Sequence, residues 1–290
     1  MDPTAPNGAV LLTLNIGSSS VKFAVFSVVD PSLRLLDGHY EDRDSQLRWT
    51  VLGSNAQPVS PCQMTVELRD RDTWRKSMLR GIFDLIRSND MIVQAIVHRV
   101  VHGGGRFVGP TLIDGSTIEQ LESYISWAPL HQPECLRAIR LTKQWFPELP
   151  QIACFDTAFH HTIPAEAAQF AIPRWLSDRG IRRYGFHGLS FQSVWRKLAE
   201  VEPRLAMGRI VVAHLGGGSS LCGIAAGRSV ATTMGLTPLD GIPMATRCGA
   251  IDPGVILHLL DVEKMSVEQI SRLLYRESGM LGVSKISGDM

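Results

Sequence analysis

The residues best suited to chemistry sit in two glycine- and serine-rich stretches, LNIGSSSVKFAVF at 14–26 and AHLGGGSSLCGIA at 213–225. Small residues there would let backbone N–H groups and hydroxyls approach an anion without side-chain clashes, as a phosphate cradle requires. Set in register, Gly17 falls over Gly216 and Ser20 over Ser219, so one device occurs twice in the chain. One such turn alone reads as an ordinary hairpin, and the repetition points to one turn from each half of a duplicated fold. The pattern is not a P-loop, because Lys22 follows Val21 and no lysine in the chain follows a glycine. Histidines offer a second chemistry. His98 and His102 stand four apart, a zinc spacing on a helix, but Arg99 occupies the position where a zincin needs glutamate. His160 and His161 are adjacent, and in a strand they would point to opposite sides, which argues against a shared metal.

Strands must carry these turns. The flanks LLTLN and VKFAVFSVV are β-branched and aromatic, and YEDRDSQLRWTVLGSN reads as further strands and turns of a sheet region reaching to about residue 70. KSMLRGIFDLIRSN then places Met78, Leu79, Ile82, Phe83 and Ile86 on one helical face, and IVQAIVHRVV follows as a buried strand. Ser116 and Glu119 form a capping-box pattern before TIEQLESYI, and Pro133 suits the first turn of ECLRAIRLTKQW. QIACFD and RIVVAHL read as strands, LSFQSVWRKLAEV as a helix, and SVEQISRLLYRE as a helix capped by Ser266 and Gln269. Strands alternating with helices predict α/β layers.

A chain of 290 residues, 44% hydrophobic, is long enough for one large or two ordinary domains. Twenty-nine basic against 28 acidic residues, without long like-charge runs, argue against a nucleic-acid or anionic-membrane surface. Five scattered cysteines without a CxxC pair fit reduced thiols in a cytoplasm. The start, MDPTAPNG, lacks the basic and apolar regions of a secretory signal, and no apolar run approaches a membrane span.

Seven stretches carry a resemblance: NIGSSSVKF, HRVVHGGGRF, APLHQP, FDTAFHHTIP, RRYGFHGLS, HLGGGSS and MGLTPLDGIPMATRCGAIDP. In these motifs, in their order, the chain resembles the acetate kinase (acetokinase) family of the actin-like ATPase and sugar-kinase superfamily. The resemblance implies a duplicated actin-like, ribonuclease H-like α/β fold. An N-terminal domain would span 1–150 and a C-terminal, nucleotide-side domain 151–290. It also implies reversible transfer of the ATP γ-phosphoryl group to acetate, giving acetyl phosphate and ADP. Magnesium, or manganese, would accompany the nucleotide. Alternatives are a kinase for propionate or another short acid, and a non-catalytic nucleotide-binding homologue.

Donor and acceptor of this reaction are both anions, so cancelling repulsion and holding an in-line geometry is the main task. A carboxylate is already ionised at neutral pH, so no strong base is needed. By resemblance, Arg99 and His131 face the acyl substrate, and Arg247 and His187 face the transferring phosphoryl group. Asp156 is expected to orient Arg99 or the metal shell, and Asn15 to lie near magnesium. Lys22, Ser18 and Ser20 are expected on the phosphate side. His214, Leu215, Gly216, Gly217 and Gly218 would form the nucleotide-facing hairpin.

Departures from the family pattern surround these positions: Gly217 for asparagine, Leu189 and Phe191 for Thr and His, Gln132 for asparagine, and Ala245 and Cys248 for Gly and Ser. They bear on nucleotide affinity and acyl preference. Asp289 and Met290 match the start of a nucleotide-contacting Asp-Met-Arg motif. The family continues past that point with an adenosine loop, a magnesium glutamate and much of its dimer surface. The expectation is therefore an incomplete second domain, with a homodimer expected for a full-length form.

Overall fold

The computed structural model of the chain describes residues 8–17, 20–43, 46–53 and 71–289. Two compact units emerge, Met1–Val101 with Pro110–Cys154, and His102–Gly109 with Phe155–Met290.

The first unit is built on a sheet of β1 (Ala9–Ile16), β2 (Ser20–Ser27), β3 (Arg34–Arg43), β4 (Gln46–Gly53), β5 (Ile92–Val100), β6 (Thr111–Leu112) and β7 (Gln151–Phe155). Their order is β4-β3-β2-β1-β5-β7-β6. β1, β2 and β3 form an antiparallel meander, and β5 runs parallel to β1. Alternation along β1 buries Val10, Leu12, Leu14 and Ile16, which pack with Val21 and Phe23 of β2. Helix α1 (Arg71–Ser88) covers them with Met78, Leu79, Ile82, Phe83 and Ile86, all buried as the 3.6-residue period predicts. α2 (Gly115–Ser123) and α3 (Gln132–Trp145) follow, and a buried ion pair between Arg75 and Glu134 joins α1 to α3. Pro133 lies in the first turn of α3. The cap of α2 differs from the capping-box expectation. Asp114, not Ser116, is the N-cap and accepts from Thr117 N–H at 2.8 Å, while Ser116 gives its hydroxyl proton to the same carboxylate. An ionised acceptor at that position outcompetes a hydroxyl for the free N–H groups of the first turn.

The second unit carries an antiparallel meander of its own, β8 (Arg209–His214), β9 (Ser220–Ala225) and β10 (Arg228–Thr232), ordered β10-β9-β8. Its helices are α4 (Ala165–Ala168), α5 (Arg174–Asp178), α6 (Gly188–Val201), α7 (Pro203–Ala206), α8 (Pro253–Asp261), α9 (Val267–Arg276) and α10 (Gly279–Ser284). Phe191 and Trp195 of α6 pack on Ile210, Val212, Cys222 and Ile224 of the sheet. The Ser266/Gln269 capping box of α9 is present as predicted. Among the described residues, no helix is long and apolar enough to cross a membrane, and Cys135, Cys154, Cys222 and Cys248 are free thiols.

Three histidines are structural. His98 pairs with Gln151 Oε1 at 2.9 Å, and His102 accepts the Gly104 N–H on Nδ1. His160 bridges Ser229 Oγ at 2.8 Å and the Phe186 carbonyl at 2.9 Å. His160 and His161 sit in a 3-10 turn, Ala158–Thr162, not in a strand. His160 is buried within it and His161 exposed, so the two still diverge. No group of three or more metal-ligating side chains occurs among the described residues.

Burial pushes all three of these histidines from the usual 6.5 down to about 4, with each ring's hydrogen bond to Gln151, Leu236 or Phe186 opposing it. The folded state therefore holds them neutral where the unfolded chain takes up protons. Stability is full above pH 6.5 and falls as the pH drops toward 4. The urea midpoint should decline between about pH 6.5 and 5, above the main carboxylate range, and a flat profile there would contradict neutral burial.

Candidate active site

In the first unit, Asn15 of β1 stands opposite Lys22 of β2, so the two side chains share a face of the sheet. Arg99 of β5 joins them, its Nη1 donating to Asn15 Oδ1 at 3.0 Å. His98, one residue earlier, points to the opposite, buried side. This row places two cations and an amide on one face, with Lys22 exposed and the others half-buried. Ser20 opens β2, and its carbonyl accepts the Gly17 N–H at 2.8 Å to close the turn. Ser18 lies outside the described residues. His131 is the N-cap residue of α3, half-buried, and the neighbouring Gln132 is fully buried with its Nε2 on the Leu121 carbonyl at 3.2 Å.

In the second unit, Asp156 is buried just past β7. Its carbonyl accepts the Gly188 N–H at 2.8 Å, and a Cβ on Gly188 would overlap that oxygen, so the approach requires glycine. The chain enters α6 through His187 with φ 59° and ψ 16°, a left-handed conformation that costs a β-carbon-bearing residue about 1–2 kcal/mol. Such strain persists only where surrounding contacts impose it. Here they do: His160 holds the Phe186 carbonyl, and the His187 ring lies on His214, centroids 4.1 Å apart and planes 19° from parallel. Nδ1 of His187 meets Ser220 Oγ at 2.9 Å, and Nδ1 of His214 meets Ser190 Oγ at 3.0 Å.

The turn between β8 and β9 runs from His214 to Ser220. Its Leu215, Gly216 and Gly217 are exposed, and the Ser219 hydroxyl donates to the Gly216 carbonyl at 3.0 Å. A Cβ on Gly218 would lie 3.3 Å from Arg247 Nη1 and 3.5 Å from His187 Nε2. A guanidinium nitrogen and an imidazole nitrogen therefore flank one small space that only the missing side chain leaves open. Arg247 is anchored by the Pro238 carbonyl, 3.1 Å from Nη1. Asp289 is exposed, its N–H on Ser287 Oγ, and Met290 lies outside the described residues.

Several residues shape this site through contacts that the sequence alone does not display. Arg183 donates to the carbonyls of Thr233 and Met234 at 3.0 Å each, tethering RRYGFHG to MGLTPLDG. The loop bearing Arg247 is held by Thr246 Oγ1 on the Tyr275 carbonyl, and by backbone bonds from Cys248 to Leu274 and from Ser278 to Thr246. Gly279, at φ +63°, lies directly on the Met244 and Arg247 carbonyls. Phe191, where the family pattern has a histidine, is core, with ring edges against His160 and His214.

As for metal, Asn15 Oδ1 is the expected ligand atom, and it already accepts from the Arg99 guanidinium. A cation beside it and the lack of a ligand cluster among the described residues do not fit a resident metal site. A single neutral oxygen suits at most one ligand to a divalent ion that arrives on nucleotide phosphates with its own waters.

Solved structures of kinases share this architecture. A propionate kinase from Francisella tularensis matches with a TM-score of 0.85 at 36% identity, covering 97% of this chain and 71% of that one. Porphyromonas gingivalis acetate kinase gives 0.77 at 31%, with the same coverages of 97% and 71%. The fold is thus the actin-like α/β fold of these kinases. Rhodopseudomonas palustris acetate kinase is 44% identical over 285 residues, 97% of this chain and 71% of that protein, and the Acetokinase family model matches residues 10–290. The chain belongs to the acetokinase family.

Because any β-carbon at Gly279 would displace the backbone of the Arg247 loop, Gly279→Ala should lower turnover at least tenfold. Steady-state kinetics on a variant shown to be folded by near-UV circular dichroism would check this. Unchanged turnover would show that the loop position is not set there.

Proposed function

We propose that this acetokinase-family kinase transfers the γ-phosphoryl group of ATP to acetate, reversibly, forming acetyl phosphate and ADP. The observation that carries the reading is the pair of nitrogens around Gly218, His187 Nε2 and Arg247 Nη1, on a family member. In the forward direction a carboxylate oxygen bonds to the γ-phosphorus as the bond to the bridging β–γ oxygen breaks, leaving its electron pair on ADP. Charge spreads over the equatorial oxygens, and Arg247 and His187 are the groups proposed to stabilise it. Arg99, a planar fork, and His131 are assigned to the carboxylate of the acyl substrate. Lys22, Ser18, Ser20 and the His214–Gly218 turn are assigned to nucleotide phosphates. Asp156 is given an orienting role, since the acetate nucleophile has no proton to lose. Magnesium, entering as part of the nucleotide substrate, neutralises phosphate charge.

The Francisella tularensis propionate kinase favours a second reading within the same chemistry, with one methylene more on the acid. A methylene changes kcat/KM by roughly 10–200-fold, so the ratio for acetate over propionate separates the two.

Hydroxylamine trapping of the acyl phosphate, with ADP release measured in parallel, tests the proposal. Arg99→Ala and Arg247→Ala should each reduce the rate on the order of a hundredfold or more, with lysine a poor replacement at either position. His187→Ala should lower kcat with KM for ATP and acetate little changed. Near-wild-type rates in the arginine variants would overturn the assignment.

A further inference from the structure

We infer that Ser220 is a positioning residue that fixes His187 as the Nε2–H tautomer, the form able to donate from the nitrogen beside Gly218. The inference rests on the reading of His187 as a hydrogen-bond donor to the transferring phosphoryl group.

Ser220 is the first residue of β9 and is fully buried. Among the described residues, the partner of its hydroxyl is His187 Nδ1, at 2.9 Å. A neutral imidazole carries one proton. If Nδ1 held it and donated to Ser220, the buried hydroxyl hydrogen would have no acceptor, an arrangement that folded proteins avoid. With the hydroxyl donating instead, Nδ1 is the acceptor and the proton resides on Nε2. That nitrogen and Arg247 Nη1 both border the space over Gly218. Both groups then present N–H to it, whereas the other tautomer would turn a lone pair toward an incoming anion.

The adjacent serines thus have separate roles. Ser219 gives its proton to the Gly216 carbonyl and shapes the turn, while Ser220 gives its proton to His187. Register keeps them apart, since Ser220 pairs with His214 across β8 and β9 and turns its side chain toward the stacked imidazoles. The His214 ring stacked on the face of His187 opposes a flip that would exchange its nitrogens.

Two-bond 1H–15N correlation spectra of the full chain at pH 8.5, with His187 assigned by its loss in His187→Gln, read the tautomer directly. The expected wild-type spectrum shows a protonated Nε2 and an acceptor Nδ1. Ser220→Ala should give a mixture of tautomers and lower kcat about tenfold with unchanged KM for ATP and acetate, while Ser220→Thr, which keeps the hydroxyl, restores both. A wild-type spectrum with Nδ1 protonated overturns the inference, as does Ser220→Ala retaining the single Nε2–H form. Should the tautomer shift in Ser220→Ala while kcat stays at the wild-type value, the positioning holds and the donor role of His187 falls instead. If Ser220→Ala does not fold, the wild-type spectrum and Ser220→Thr still decide the tautomer.

Discussion

Gly188 donates its backbone N–H to the Asp156 carbonyl, and that 2.8 Å approach holds the turn bearing His187 against Asp156. The placement of His187 depends on it. The left-handed entry into α6 aims the His187 ring at His214, the ring stack fixes its plane, and Ser220 meets one edge while the space over Gly218 lies at the other. A charged transition state is stabilised by groups that need not reorganise, and in the proposed reading the backbone strain at His187 serves that end.

The two units carry different polar groups on similar frames. Each has a meander opened by a small-residue turn. In the first, Gly17 and Ser20 close a turn whose strands carry Lys22, Asn15 and, on the neighbouring β5, Arg99. In the second, the turn stays glycine-rich and its donors come from outside the meander, from the α6 entry and from the loop bearing Arg247. Cations placed in strands are fixed by register, whereas a loop cation such as Arg247 needs other clamps. Tyr275, Leu274 and Gly279 supply these, all beyond the recognisable motif.

That difference explains what was legible in the sequence. The helical face of α1, the strands β1, β2, β5 and β8 and the cap of α9 follow from local periodicity and capping chemistry, and the paired turns from internal repetition. The α2 cap is not legible because Asp114 and Ser116 both precede the TIEQLESYI run, and only geometry reveals that the helix begins at Gly115 with Asp114 reaching Thr117. His160 looked like half of an idle pair, yet it supports the Phe186 carbonyl through a contact twenty-six positions away in the chain. Ser220, Arg183 and Gly279 act across separations of more than thirty residues, which no local pattern encodes. Phe191 reads as a lost polar group in the sequence and is an apolar support for His160 and His214 in the structure.

The central claim is that the space over Gly218, between Arg247 Nη1 and His187 Nε2, receives the transferring phosphoryl group. Gly218→Ala tests it with one methyl group, since the new Cβ would stand 3.3 Å and 3.5 Å from the two donors in a backbone conformation open to alanine. Measured as acetate-dependent acyl phosphate formation in a variant whose melting temperature is unchanged, turnover should fall at least tenfold with ADP affinity less affected. Wild-type turnover with that methyl group in place would contradict the account.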